Sequence, residues 1–395
     1  MSHILVVTVS AMGHIQPIRG ILRELVTRGH RVSCPVSEEF AALIASTGAT
    51  PVAYEQVTTA MPATEGGSVD LATFVFGMNL AYAQRMLPQL EEMFDDDRPD
   101  IVVYEATAYA GYALALRWGL SAVVLSACRV STVDDQRPTE WLPVMAQTPK
   151  AVETRARFAG WLAGQGIPLS VVDFLRRPSR CLVLIPRMLQ PEPERFDPTV
   201  YTFVGPCIDG RPEPEPWPAP DRPLVLVSLG TAFTDSLDFF RTCITAFSGQ
   251  GWLVVLSVGV RHIDPDDLGP LPPDIEVHRR VPQLSVLRHA SLFVTHAGAG
   301  SSSEAVALGV PMIAVPQAID QFDNAAMLAE AGVATVLGPG EATPDALRRA
   351  AHEVMASEKV AAACRDAAES VPRGGAATAV DAIESMIAGA PGNGR

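Results

Sequence analysis

The run His296-Ala297-Gly298-Ala299-Gly300-Ser301, with Glu304 one turn further on, puts small residues where an apolar strand gives way to a helix. Free backbone N–H groups converge at such a helix start, so the stretch suits a phosphate. Glu304 is placed to hold a ribose. After the next apolar segment, Asp320 and Gln321 offer two hydrogen-bonding side chains to a second polyol. Phosphate, ribose and sugar in one row describe a nucleotide sugar. The other chemically distinctive residue is His14, directly after Gly13. An imidazole titrates near neutral pH and can take a proton from a hydroxyl; at this position it can equally cap the first helix.

These residues need strands and helices to hold them, and the chain supplies an alternating βα pattern. A buried-strand run spans 4–9, a loop spans 10–14, and a helix follows with Ile18, Ile21, Leu22 and Leu25 at helical spacing, stopping at Gly29. Strands at 31–36, 100–104 and 122–126 alternate with helices near 40–45 and 108–118. A second series starts at Leu224 and continues through 252–257, 275–277, 292–295 and 312–315. Continuous apolar strands separated by helices imply parallel, doubly wound sheets. Pro212, Pro214, Pro216, Pro218 and Pro220 interrupt the two series and read as an extended linker.

The expected fold class is therefore α/β, two Rossmann-like doubly wound parallel-sheet domains facing across a cleft. The expected boundaries are 1–205 for an N-terminal acceptor-binding domain, 206–222 for the linker and 223–375 for a C-terminal nucleotide-sugar domain. Ligands in such sheets bind beyond the carboxyl ends of the strands, where the loops 10–14 and 295–303 fall. Two less regular stretches carry Phe74, Phe76, Met78 and Tyr82, and then Trp141. With Met12 and Cys128, these are candidates to line a pocket for a large apolar acceptor; ordinary helix core is the competing reading.

Composition narrows the class. The chain has 395 residues, 48% of them hydrophobic and 6% aromatic, within the range of a soluble α/β enzyme. A net charge of -14 argues against non-specific nucleic-acid binding. Six scattered cysteines show no metal-ligand spacing. No apolar run approaches the ~18 residues of a membrane helix, and the N-terminus enters a strand directly, so the protein is read as cytoplasmic and not membrane-inserted. Asp95, Asp96 and Asp97, and Asp264, Asp266 and Asp267, read as exposed turn acids.

Three segments, Phe293–Ser301, Pro311–Gln317 and Tyr201–Pro206, resemble family 1 glycosyltransferases of the GT-B fold, with the bacterial macrolide glycosyltransferases as the nearest likeness. The similarity spans nearly the whole chain. It implies an inverting transferase that moves a sugar, glucose from UDP-glucose, to a hydroxyl of a hydrophobic natural product, for resistance or for biosynthetic tailoring. His14 then matches the general base, and Glu105 stands where the family carries an aspartate that orients it. His296 with Gly298, Gly300 and Ser301 matches the diphosphate site, Gly230 and Thr231 a second phosphate or sugar contact, and Asp320 with Gln321 the glucose contacts. The base site comprises Arg280, Val281 and Gln283, with Arg280 where an aromatic is usual; a guanidinium plane can stack on a base, which opens TDP-sugars as donors too. The resemblance further implies no permanently bound cofactor, no metal requirement, a last helix crossing back to the first domain at 376–395, and a homodimer as an open option.

Other readings stay on the table. A nucleotide-sugar epimerase can share this architecture. Departures at Glu105 and Arg280 admit a catalytically silent sugar-nucleotide binder. A dinucleotide oxidoreductase is disfavoured, because Ser10-Ala11-Met12-Gly13-His14 lacks G-x-G-x-x-G spacing.

Overall fold

The computed structural model describes residues 1–56, 68–131, 146–176, 179–213, 216–230, 236–260, 263–318 and 320–389. The chain divides into two compact units. The first comprises Met1–Ile185, Glu192–Pro212 and Arg373–Arg395, and the second Pro186–Pro191 and Glu213–Pro372.

Unit 1 is built from β1 (His3–Val7), α1 (Met12–Thr27), β2 (Arg31–Val36), α2 (Glu38–Ala45), β3 (Thr50–Ala53), α3 (Ser68–Phe94), β4 (Ile101–Glu105), α4 (Tyr109–Trp118), β5 (Ser121–Ser126), α5 (Pro149–Gly164), α6 (Val171–Arg176), β6 (Cys181–Val183) and β7 (Tyr201–Phe203). All its described strands run parallel in the order β3-β2-β1-β4-β5-β6-β7. The order reverses beside β1, so the gap between the ends of β1 and β4 is the switch point at which such sheets bind ligands. Ile4, Val6, Ile101 and Val103 pack against Ile15, Ile18, Leu22 and Leu25 of α1. Helix α1 ends at Gly29, whose φ of +83° places it in the left-handed region that glycine adopts without strain.

Unit 2 carries β8 (Leu224–Ser228), α7 (Leu237–Phe247), β9 (Leu253–Ser257), β10 (Ile275–His278), α8 (Gln283–Leu287), β11 (Ala290–Thr295), α9 (Ala299–Ala307), β12 (Met312–Ala314), α10 (Gln321–Glu330), β13 (Ala334–Val336), α11 (Pro344–Ala356) and α12 (Glu358–Ser370). Its described strands are again parallel, in the order β10-β9-β8-β11-β12-β13. The switch point lies between β8 and β11. Its core joins Val225, Val227, Phe240, Phe247, Leu256, Val294 and Ile313. Thr343 caps α11, accepting from the amide of Ala346, and Pro344 fills the first helical position where its missing N–H costs nothing.

The last helix, α13 (Gly375–Ala388), returns to unit 1. Ala379, Val380 and Ile383 join the core beside α1, and Arg28 ties it by bonds to Asp381 at 2.6 Å and Glu384 at 2.8 Å. Three features differ from the sequence reading. The front of the proline-rich segment is packed rather than extended: Cys207 and Arg211 are buried, and Arg19 donates to the carbonyl of Pro212 at 2.6 Å. Glu105 is not in a loop but ends β4, buried to 4% exposure. Gln321 opens a helix, with Asp320 at its N-cap position, an element the sequence reading did not place. No helix among the described residues is long and apolar enough to cross a membrane.

Candidate active site

In unit 1, the chain leaving β1 is pinned at Ser10. Its hydroxyl donates to the phenol of Tyr54 at 3.2 Å and accepts the amide of Ser37 at 2.9 Å. Ala11 is extended (φ -143°, ψ 144°), and its carbonyl accepts from the amides of His14 and Ile15, both at 3.0 Å, which starts α1. His14 therefore sits in the first turn of the helix, half-buried, with its Nδ1 3.1 Å from Oε2 of Glu105. The same oxygen accepts the amide of Thr107 at 3.1 Å and its hydroxyl at 2.5 Å.

Burial draws the His14 imidazole down, but the charge and the hydrogen bond of Glu105 outweigh it and hold its pKa above the usual histidine value. Burial pushes Glu105 up, and the charge of His14 together with bonds from His14 and Thr107 brings it below the ordinary carboxylate range. With Nδ1–H given to the carboxylate, the lone pair of neutral His14 lies on Nε2. This is the electronic arrangement of a general base backed by an orienting acid.

In unit 2, the strand ends β8 and β11 close on the ring of His296. Gly230 follows β8 with φ +77°, and a Cβ there would lie 2.6 Å from His296 Cε1. At Gly298 it would lie 2.3 Å from Nε2. Both positions require glycine because the imidazole fills the space between them. Burial lowers the pKa of His296 to about 4, against an upward pull from the Ser228 backbone. The ring is neutral at physiological pH, and its Nδ1 is buried with no hydrogen-bond partner among the described residues. Ala297 adopts φ +62°, a left-handed conformation costly for a residue with a Cβ. Its amide is held by Thr295 Oγ1 at 3.2 Å and its carbonyl by Asn324 Nδ2 at 3.0 Å.

Around the start of α9, Gln283 Nε2 donates to Glu304 at 2.8 Å and to Ser301 Oγ at 3.2 Å. Asn324 also donates to Asp320 at 3.0 Å, which links that acid to the glycine-rich loop. Gln321 is buried, and its side-chain oxygen accepts the amides of Gln317 and Ala318 at 2.8 and 3.1 Å. That oxygen therefore shapes the chain turn before α10. Val281 is buried and Arg280 exposed. At Gly300 a Cβ would meet nothing within 4 Å, so packing does not demand the glycine. Among the described residues no cluster of three or more His, Cys, Asp or Glu is placed to hold a metal ion.

Of the candidate acceptor residues, Phe74, Met78 and Tyr82 recur every fourth residue on α3 and are half-buried. Such spacing aligns them on one face. Phe76 turns inward, its ring 5.3 Å from that of Phe158 and 6.2 Å from that of Tyr109, and packs in an aromatic core. Met12 opens α1 and its sulfur accepts from Gln16 at 3.3 Å; Cys128 is exposed just beyond β5. Thr231 and Trp141 lie outside the described residues. Sequence reasoning missed Thr107, Asn324 and the Ser10–Tyr54 bond. Asn324 had a signal, four residues after Asp320 at helical spacing; Thr107 had one too, a hydroxyl two residues beyond an acid, where side chains bond back to local backbone.

Two parallel-sheet units, one with an imidazole–carboxylate pair and the other with a glycine-lined helix start, define a GT-B-type glycosyltransferase. The known proteins agree. Residues 253–385 match the family model described as the erythromycin biosynthesis protein CIII-like C-terminal domain. The chain is 43% identical to the oleandomycin glycosyltransferase of Streptomyces antibioticus, over 98% of this chain and 91% of that protein. It is 33% identical to the NDP-glycosyltransferase YjiC of Bacillus licheniformis over 98% of both. The crystal structure of the glycotransferase of kitacinnamycin superposes with a TM-score of 0.85 at 37% identity, covering 98% of each chain. The chain belongs to the family 1 glycosyltransferases of the GT-B fold, among the bacterial macrolide and natural-product enzymes. These relatives are glycosyltransferases, and nothing in them supports the epimerase alternative.

Proposed function

We propose that this glycosyltransferase moves a hexose, glucose in the first instance, from a nucleoside diphosphate to a hydroxyl of a macrolide-like acceptor with inversion at the anomeric carbon. The observation that carries the reading is the 3.1 Å contact between His14 Nδ1 and the buried Glu105 carboxylate. Nε2 takes the acceptor proton as the acceptor oxygen forms its bond to the anomeric carbon. The bond from that carbon to the diphosphate oxygen breaks, and an α-linked donor yields a β-glycoside. Glu105 steadies the imidazolium until the proton passes to solvent.

Unit 2 holds the donor in this reading. The amides at the start of α9 and the neutral His296 receive the growing negative charge of the diphosphate. Glu304, braced by Gln283, takes the ribose, and Asp320 takes sugar hydroxyls. Arg280 offers its guanidinium plane to the base, so uracil and thymine both qualify. The name of the oleandomycin relative motivates a macrolide acceptor, and the half-buried stripe Phe74, Met78 and Tyr82 offers apolar surface for one. The enzyme serves resistance or tailoring, and its compartment is taken to be the cytoplasm.

A screen of UDP-glucose, other UDP-sugars and TDP-sugars against macrolides and polyphenols, read by product mass, tests this. We expect a hexose adduct on a macrolide, with the anomeric proton coupling of a β-glycoside. Use of a TDP-deoxysugar alone would remove the glucose role of Asp320. Tight nucleotide-sugar binding without turnover on any acceptor would leave the silent binder instead.

A further inference from the structure

Glu105 is one methylene longer than the aspartate the family pattern carries, yet its carboxylate meets His14 at normal hydrogen-bond distance. The extra length is taken up by the side chain curling back over its own turn. Oε2 accepts from the amide of Thr107, two residues on, at 3.1 Å and from its hydroxyl at 2.5 Å. The turn itself is closed by the amide of Ala108 on the carbonyl of Glu105 at 2.8 Å. One carboxylate oxygen thus has three donors, two of them from Thr107.

The Thr107 hydroxyl does more than brace the acid. It lies 3.4 Å from His14 Nδ1. A hydroxyl has one proton and two lone pairs. Here the proton goes to Glu105 over the shorter distance, so only a lone pair faces Nδ1. Both neighbours of Nδ1 are then acceptors, and the neutral imidazole must carry its hydrogen on that nitrogen. We infer that Thr107 is a positioning residue that fixes the Glu105 carboxylate and the His14 tautomer, forming with them a three-member unit in which the glutamate and the threonine are matched. This rests on the proposed role of His14 and Glu105 as base and orienter.

The consequence is specific. Without the hydroxyl, Glu105 keeps only the Thr107 amide, beside His14 itself, to hold it against its free torsions, and the carboxylate spends part of its time away from His14. Tyr109, whose phenol is pushed up by burial, is the other titratable group that senses Glu105. It is common to every variant below.

The test compares wild type, Thr107→Val, Thr107→Ser and Glu105→Gln. One readout is the pH titration of the His14 ring by NMR on 13C-histidine protein, assigned with His14→Ala, which needs no substrate. The other is turnover of UDP-glucose with oleandomycin. Valine keeps the shape of threonine and removes only the hydroxyl. We expect Thr107→Val to move the His14 midpoint downward, toward the value in Glu105→Gln. We also expect it to lower kcat on the order of tenfold, a fraction of the roughly 10²–10⁴ available to a general base, with both KM values within about twofold. Thr107→Ser should restore midpoint and rate. In the Glu105→Gln background, Thr107→Val should cost little more, because its target is gone. A Thr107→Val protein with the wild-type midpoint, beside a shifted Glu105→Gln, would overturn the inference alone. A Glu105→Gln protein with the wild-type midpoint and rate would overturn the pairing itself.

Discussion

Both units place a histidine at the switch point of a parallel sheet, and the two rings are treated in opposite ways. His14 stands beside a buried carboxylate that raises its pKa. His296 is wedged between Gly230 and Gly298, has no carboxylate partner among its bonds, and is lowered to about 4. The same topology yields a group ready to accept a proton in one unit and a ring kept neutral in the other. What differs is the residue ending the flanking strand: Glu105 at the end of β4, against Ser228 at the end of β8. A fold supplies the position, and one strand-end residue decides the chemistry.

The strongest way to break this contrast is to remove His14. We expect His14→Ala to lose on the order of 10²–10⁴ in kcat, the usual contribution of a general base, with donor KM nearly unchanged. A variant that transferred sugar at close to the wild-type rate would end the assignment. The proposed function gives donor binding to the other ring, so a large rise in donor KM for His14→Ala would also count against the division of labour.

The glycines beside the rings give the next largest effect. A Cβ at Gly298 would sit 2.3 Å from the His296 ring, whereas at Gly13 it would meet nothing within 4 Å. Gly298→Ala should therefore displace the ring, weaken UDP binding about tenfold or more, and cost ~1–3 kcal/mol as an overpacked site does. Gly13→Ala should leave stability level or raise it by up to ~1 kcal/mol, since alanine is the better helix former. Calorimetric UDP titration and thermal melts of both variants check this, and equal melting temperatures would show that the ring is not wedged.

Much of this arrangement was legible in the sequence because it depends on pattern. Apolar strands alternating with helices announced two parallel sheets, and small residues after Thr295 announced a helix start. Burial and side-chain direction were not legible. The strand before Glu105 reads as stopping at 104 because periodicity does not show where pairing stops; the bond from Ala106 to Leu125 carries β4 up to Glu105. The helix start at Gln321, and with it the bonds of its side-chain oxygen to the amides of Gln317 and Ala318, carried no signal in the sequence. Pro206–Pro212 read as linker because proline composition says nothing of a buried arginine reaching it from α1.

The rings should also part company with pH, a smaller effect. A base must be neutral, so kcat/KM should fall as pH drops through a His14 midpoint above the ordinary ~6.5. Stability from the same pair has the opposite sign. It is fully present below the unfolded value of about 6.5 and lost as pH rises through the higher folded value. His296 works the other way: its folded value of about 4 means that stability declines as pH falls from ~6.5 toward 4, because only the unfolded ring binds a proton there. Urea melts from pH 4 to 9 on wild type and on His14→Ala separate the contributions. The high-pH decline should vanish in the variant while the acid decline persists.

The smallest expected effect lies at Arg280, at the edge of unit 2, where charge and aromaticity can be exchanged without touching either ring. Its side chain is exposed, so a guanidinium stacked on a base there gains about 0.5–1 kcal/mol. Base stacking on an aromatic side chain is worth roughly 1–3 kcal/mol. Arg280→Trp should therefore tighten UDP by a few-fold and leave kcat alone, and Arg280→Ala should weaken UDP and TDP by a similar factor. Calorimetric Kd values for both nucleotides decide it. An Arg280→Ala protein that bound UDP as tightly as wild type would place the base elsewhere on unit 2. The half-buried Trp217, whose ring lies 5.4 Å from that of His278, is then the next aromatic surface to test.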